Sequence, residues 1–199
     1  MKIGIKRDLL MVGVVGVVVL GVVGCRQPNR PAAEAEKAAA PAPVATEALG
    51  SAAQATDDPF AATASLVPVT SKLDGFAVVK SCNVDSVVDA NTDKEVSVLP
   101  QSGQAKFIGW AADSDAGKLP TRVAVLLRGI DKFYVVGGQS SLDREDVASS
   151  IGNAALLKSG FALPASLAGV EPGSYTLDVL MDFDGAKASC ATAETVLVQ

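Results

Sequence analysis

Polar and apolar positions alternate most cleanly near the C-terminus. Tyr175, Leu177, Val179, Met181 and Phe183 are interleaved with Thr176, Asp178, Leu180, Asp182 and Asp184. Four of those five intervening positions are polar, the period-two pattern of a strand with one buried face. Pro172-Gly173 turns into this strand, and Asp184-Gly185 suits a tight hairpin because glycine tolerates positive φ. Residues 187–191 then return as the partner strand. Further strands are predicted at 83–88, 104–112, 122–128 and 132–137, the last two joined across Gly129-Ile130-Asp131, and at 160–163 and 194–198. Phe133-Tyr134-Val135-Val136 supplies the aromatic and β-branched bulk that suits a pleated surface. One helical interruption is predicted. Asp143 can cap it, Glu145 and Asp146 lie near the positive end of its dipole, Val147 and Ile151 share a face, and Gly152 ends it. Residues 154–158 add a short second turn before Gly160. Together these elements predict a mainly β fold, an Ig-like or related β-sandwich with a short helical crossover.

The N-terminus has a different pattern. Lys2, Lys6 and Arg7 precede an apolar run from Leu9 to Val23, broken only by Gly13, Gly16 and Gly21. A run of about 15 apolar residues is short for a membrane span, which needs roughly 20. With its positive start it reads as a bacterial export signal. It ends at Val22-Val23-Gly24-Cys25, which resembles the lipobox of bacterial lipoproteins. The resemblance implies cleavage before Cys25, diacylglycerol on its sulfur and an acylated (for instance palmitoylated) new amino terminus. Two or three chains anchor firmly where one anchors marginally. In lipoproteins of two-membrane bacteria an Asp after the lipidated cysteine commonly signals inner-membrane retention. Arg26 stands there, so the resemblance implies the outer membrane, with the protein facing the periplasm or the surface. An uncleaved anchor with Cys25 as an incidental thiol is the competing reading.

Composition divides the rest. Residues 25–72 are dominated by Ala, Pro, Thr, Ser and Glu, with Phe60 as the one aromatic. So little apolar bulk predicts a disordered linker, since it cannot offset the entropy of ordering. That leaves residues 1–24 as signal peptide, 25–72 as lipidated linker and 73–199 as the β-sandwich domain. The first 24 residues carry three positive side chains and one negative, so the formal charge of −5 becomes −7 in the mature chain. An acidic product with no basic block excludes nucleic acid as a partner, whose phosphates require Lys and Arg.

With Cys25 given to lipid, Cys82 and Cys190 remain, and in an exported chain they most simply pair. The bond would close a loop of about 109 residues, for which loop-closure entropy gives about 4–5 kcal/mol. Two free thiols in a redox or metal role are the alternative, without a Cys-x-x-Cys spacing to support it. The sequence contains no histidine, which excludes Ser-His-Asp triads, Cys-His pairs and the common zinc sites.

Gly109-Trp110-Ala111-x-Asp113, then Pro120-x-Arg122-Val123, Arg144-x-Asp146-Val147-Ala148 and Ser159-Gly160-Phe161 form a recognisable order. It resembles a compact β-sandwich module of bacterial envelope proteins that is also appended to some membrane-embedded glycosyltransferases. Such modules have no assigned catalytic set, so the resemblance implies fold and an accessory role, with no active site to carry over. Two readings stay open for Trp110: core or a wedge between sheets, against an exposed sugar-stacking platform. Arg144 and Asp146 either tie down the crossover or bind a ligand. Gly109 and Gly160 are read as sites of close backbone approach.

Two acidic turns, Asp113-x-Asp115-x-Gly117 and Asp182-x-Asp184-Gly185, invite a calcium reading. Neither has a third ligand at the required step, and counting from Asp182 the twelfth position is Ala193, with Glu194 one late. No metal and no cofactor is therefore expected. A carboxylate pair for glycan hydrolysis is the one catalytic chemistry left open, from Asp113, Asp115, Glu145, Asp146, Asp182 and Asp184, which are read as solvated acids of turns and caps. The expectation is a non-enzymatic envelope lipoprotein whose domain engages a protein or a glycan. The alternatives are a structural or assembly factor of an envelope complex, or a carboxylate-based glycan hydrolase.

Overall fold

A computed structural model describes residues 55–70, 73 and 75–199. The predicted signal segment, the predicted lipidation site Cys25 and the predicted linker up to residue 54 lie outside the described residues. In chain order the elements are β1 (Val67–Pro68), β2 (Ala77–Val78), β3 (Cys82–Asp89), β4 (Val98–Leu99), β5 (Gln104–Ala111), β6 (Arg122–Arg128), β7 (Phe133–Gly138), α1 (Glu145–Ile151), a 3-10 turn (Ala154–Leu156), β8 (Gly160–Ser166), β9 (Gly173–Phe183) and β10 (Ala186–Val198).

Two sheets pack face to face, as the alternation predicts. The larger runs β1-β7-β6-β9-β10-β2, with β4 pairing β10 beside β2, and the smaller runs β3-β5-β8. Between them lie Phe107 and Ala105 of β5, Val123, Val125 and Leu127 of β6, Phe161 and Leu163 of β8, and Tyr175, Leu177, Val179 and Met181 of β9. Cys82 of β3 and Cys190 of β10 are disulfide-bonded, with Cα atoms 6.2 Å apart. The bond does not join adjacent strands of one sheet; it crosses the core from the small sheet to the large one.

The hairpin at Asp184-Gly185 takes positive φ at both central residues, 56° and 99°, the twist that suits a two-residue β-turn. The return segments 187–191 and 194–198 are halves of a single strand, β10, whose register shifts between Ala191 and Thr195. At the start of β9 the Tyr175 hydroxyl donates to the Glu171 carbonyl at 2.7 Å, while the Glu171 N–H donates to the Tyr134 hydroxyl at 3.2 Å. A tyrosine tying a strand to the backbone just upstream recurs in immunoglobulin-type sandwiches.

The segment preceding residue 73 departs from the linker reading. Residues 55–70 wrap the large sheet at its β7 edge: β1 pairs antiparallel with β7, Thr56 bridges Val69 and Ala62 bridges Gly137, while Leu66 enters the core between the sheets and Ser65 bridges Ser166 of β8. Phe60, 2% exposed, joins Ala124, Leu126, Val135 and Leu180 in a second apolar cluster, with Val67, Val69, Leu73 and Phe76 around it. This strap explains why β6 is apolar at every position from Val123 to Leu127: both faces of that strand are covered.

It also changes the account of the acids on β9. Asp182 is not a solvated turn carboxylate but a strand residue 3% exposed, and Asp178, at a polar position of the same strand, is buried too, at 4%. Arg122 donates to Asp182 at 2.5 and 3.1 Å, and its other nitrogen reaches Asp58 of the strap at 2.9 Å. Arg128 serves Asp178 in the same way. Buried charges persist when paired and hydrogen-bonded like this.

Candidate functional site

The period-two rule places Trp110. Along β5, Ala105, Phe107 and Ala111 point into the core, so Lys106, Ile108 and Trp110 point away from it. Trp110 is half-buried on the outer face of the small sheet and belongs to neither apolar cluster. It is neither core nor a wedge between sheets. Its ladder neighbours are Asn83 of β3 and Gly160 of β8.

Both glycines beside it are places of close approach. A Cβ on Gly109 would stand 2.1 Å from the Asn83 carbonyl oxygen and 2.7 Å from the Phe161 ring. One on Gly160 would meet the Arg144 side chain and the Leu142 carbonyl at 2.9 Å. Gly160 therefore lets the 141–144 segment fold against β8, where the Ser141 and Leu142 N–H groups donate to the Gly160 carbonyl.

That docking delivers Arg144 to the rim of the sheet. Its backbone N–H donates to the Leu157 carbonyl at 2.7 Å. Its side chain grips Asp146 through Nε and Nη2, at 2.9 and 2.7 Å, and reaches Asp85 through Nη1 at 2.6 Å. Asp85 is available because β3 bulges: Val84 pairs with Gly109 and Ser86 with Ile108, leaving Asp85 without a ladder partner. The helix begins one residue later than its capping residue predicts. Arg144, not Asp143, takes the N-cap position, with no side-chain cap, and Asp143 pairs instead with Lys158 at 2.7 Å. Gly152 ends the helix at φ 74°.

Trp110, Arg144 and Asp146 thus converge, and with Val147, Ser150 and Ile151 of α1 they line a cleft of about 330 Å³. Sequence reading singled out the first three separately; their neighbours Asp85 and Ser150 went unmarked, because a bulge leaves no trace in composition. Arg144 raises its own basicity by pairing with Asp146 and Asp85, and it holds the Asp146 carboxyl down at about 2. Burial pushes Asp182 up, but the Arg122 hydrogen bond, the Gly185 N–H and nearby positive charge outweigh it and leave its pKa lowered. Asp89 is lowered too, chiefly by the Asn91 N–H.

These shifts predict a pH profile. A carboxyl with a depressed folded pKa contributes stability that is present above its ordinary pKa and lost as pH falls through the folded value. Thermal stability should therefore hold from pH 8 to 5, where no histidine titrates, and fall from about pH 4 toward 2. Melting temperatures across that range check it, and a clear drop between pH 7 and 5 would contradict it.

The remaining acids are spread out. Asp113 accepts the Ala116 N–H at 2.9 Å in its own turn, Asp182 is occupied by Arg122, and Asp184 sits in the hairpin. Among the described residues no three Asp, Glu or Cys side chains lie close enough to hold a metal ion. No protein-family model, curated protein or solved structure matches this chain.

Proposed function

We propose that the chain is a lipid-anchored protein of the bacterial cell envelope whose sandwich binds a protein or glycan partner without catalysis. One observation carries the binding reading: Trp110 of β5 and the Arg144–Asp146 pair at the start of α1 meet in one cleft on a sheet face. Its backing is rigid, since β5 pairs on both sides and α1 is fastened through Arg144. A non-catalytic role is supported by the acids. A glycosidase needs one carboxyl raised toward neutrality, whereas two of the candidate acids, Asp146 and Asp182, are each paired with an arginine and move the other way. The anchor rests on Val22-Val23-Gly24-Cys25.

A photo-crosslinking residue at Ser150 in the full-length protein, expressed in cells, tests the binding reading. Adducts from position 150, absent from position 131 at the tip of the β6–β7 turn, are the expected result. Equal labelling at both positions would sink it, and so would the absence of adducts together with no glycan binding. Intact mass of membrane-extracted protein tests the anchor: the expected species starts at Cys25 and carries acyl chains. The assembly-factor reading draws on Val98 and Leu197, exposed neighbours on the β4–β10 edge. Adducts from position 197 alone would favour it.

A further inference from the structure

We propose that the Trp110 cleft takes an uncharged saccharide, with one pyranose ring against the indole; this rests on the binding reading above and narrows it. The first reason is charge. Of the lining residues only Arg144 and Asp146 are ionised, with opposite signs, and they are bonded to each other. The Arg144 charge is already offset by Asp146 and Asp85, so the cleft carries no excess positive charge to hold a phosphate or carboxylate ligand, and the Asp146 charge is offset by Arg144, which leaves little to hold a cation. The lining favours a ligand without charge.

The second reason is the hydrogen-bonding inventory. A guanidinium has five N–H donors, and three of them serve Asp146 and Asp85. Two remain for acceptors. Asp146, with a side chain 68% exposed, keeps free lone pairs for hydroxyl donors, and Ser150 is exposed and can act either way. A sugar hydroxyl is both donor and acceptor, so this fixed row of mixed partners suits a polyol better than a one-sided ligand.

The third reason is shape. The half-buried indole offers a flat apolar surface, and Val147 and Ile151, one helical turn apart on α1, wall one side. The axial C–H groups of a pyranose form the complementary apolar face. At about 330 Å³ the cleft is at the small end of ligand sites, which fits a short saccharide segment.

Trp110 is the sole tryptophan of the chain, so emission from the full-length protein in micelles reports on this cleft alone. Titration with chitotetraose, cellotetraose and maltotetraose should give a saturable change with at least one of them, little affected by salt. Tetragalacturonate, the anionic control, should give none. Asp146→Asn should weaken binding about tenfold through loss of charge-assisted acceptors, and Ser150→Arg, at an exposed helix position, should abolish it by calorimetry while leaving the melting temperature in place. No saturable change with any neutral sugar, tighter binding of tetragalacturonate, or unchanged affinity in Ser150→Arg would overturn the proposal. Protein adducts from position 150 alongside silent sugar titrations would retire the saccharide and keep the binding module. Silence in both experiments would retire both.

Discussion

Replacing Cys82 and Cys190 with alanine should cost the domain about 4–5 kcal/mol of stability at most, judged from loop closure. The bond joins residues 108 apart, so in the unfolded chain it removes more freedom than a local bridge could. Small domains hold only about 5–15 kcal/mol in total, which makes the loss visible as a shifted guanidinium midpoint. Alanine is the right replacement, since Cys190 is 2% exposed among Met181, Ala188 and Val196 and a serine would bury a hydroxyl there. Dithiothreitol on the parent protein should reproduce the shift. A loss below about 1 kcal/mol would mean that the unfolded chain keeps the two sheets' strands near each other without the bond.

The second large effect is predicted at Phe60. Its ring stacks on Phe76 at 6.1 Å between centroids, the Arg122 guanidinium lies 5.2 Å above it, and its inner side rests on Ala124, Leu126, Val135 and Leu180. Truncating a buried phenylalanine to alanine costs about 3–5 kcal/mol. Here the loss should fall on the strap. The Thr56 N–H donates to Pro68, Leu66 to Ser166 and Val69 to Phe133, each at 3.0 Å. Hydrogen exchange should speed up at those three amides in Phe60→Ala while Val125, in the middle of the large sheet, keeps its protection. Unchanged exchange at Thr56 and Val69 would show that the strap is held by other contacts.

How far the sequence disclosed this molecule depends on the kind of signal. Strands with one dry face announce themselves by alternation, as β5 and β9 do, while β6 and β7, buried on both faces, are marked by short apolar runs; these four, with β3 and β10, lie where strands are predicted. The hairpin at Asp184-Gly185 follows from turn chemistry. The strap does not, because its anchors Phe60, Leu66, Val67 and Val69 are diluted among Ala, Thr, Ser and Pro, and a composition average registers the diluent. The unbroken apolar run Val123–Leu127 reflects cover on both faces of β6, which Phe60 supplies on the outer one with Phe76 packed beside it. Trp110 and Arg144 stand out in the sequence as candidates, but whether Trp110 faces the core or the outside depends on which face of β5 is covered. The N-cap place of Arg144 and the exposure of Asp85 depend on tertiary contacts that set a helix start and a bulge. Asp182 looked solvated because the arginine that neutralises it, Arg122, lies on another strand.

The position of β10 as the last strand of the fold in chain order has a consequence for the order of events in folding. It supplies the partner edge for β9, β2 and β4 at once, and it carries the second cysteine. The two-residue strands β2 and β4 pair with nothing else in their sheet, so both wait for it. Without β9 and β10 the inner residues of β6 and of the small sheet have half a core to face. Contacts so distant in sequence are paid for in loop entropy before they return anything, which makes such folds slow. Assembly of this fold is therefore closed by the last of its strands in chain order, and the sandwich stays open until that strand is free to pair.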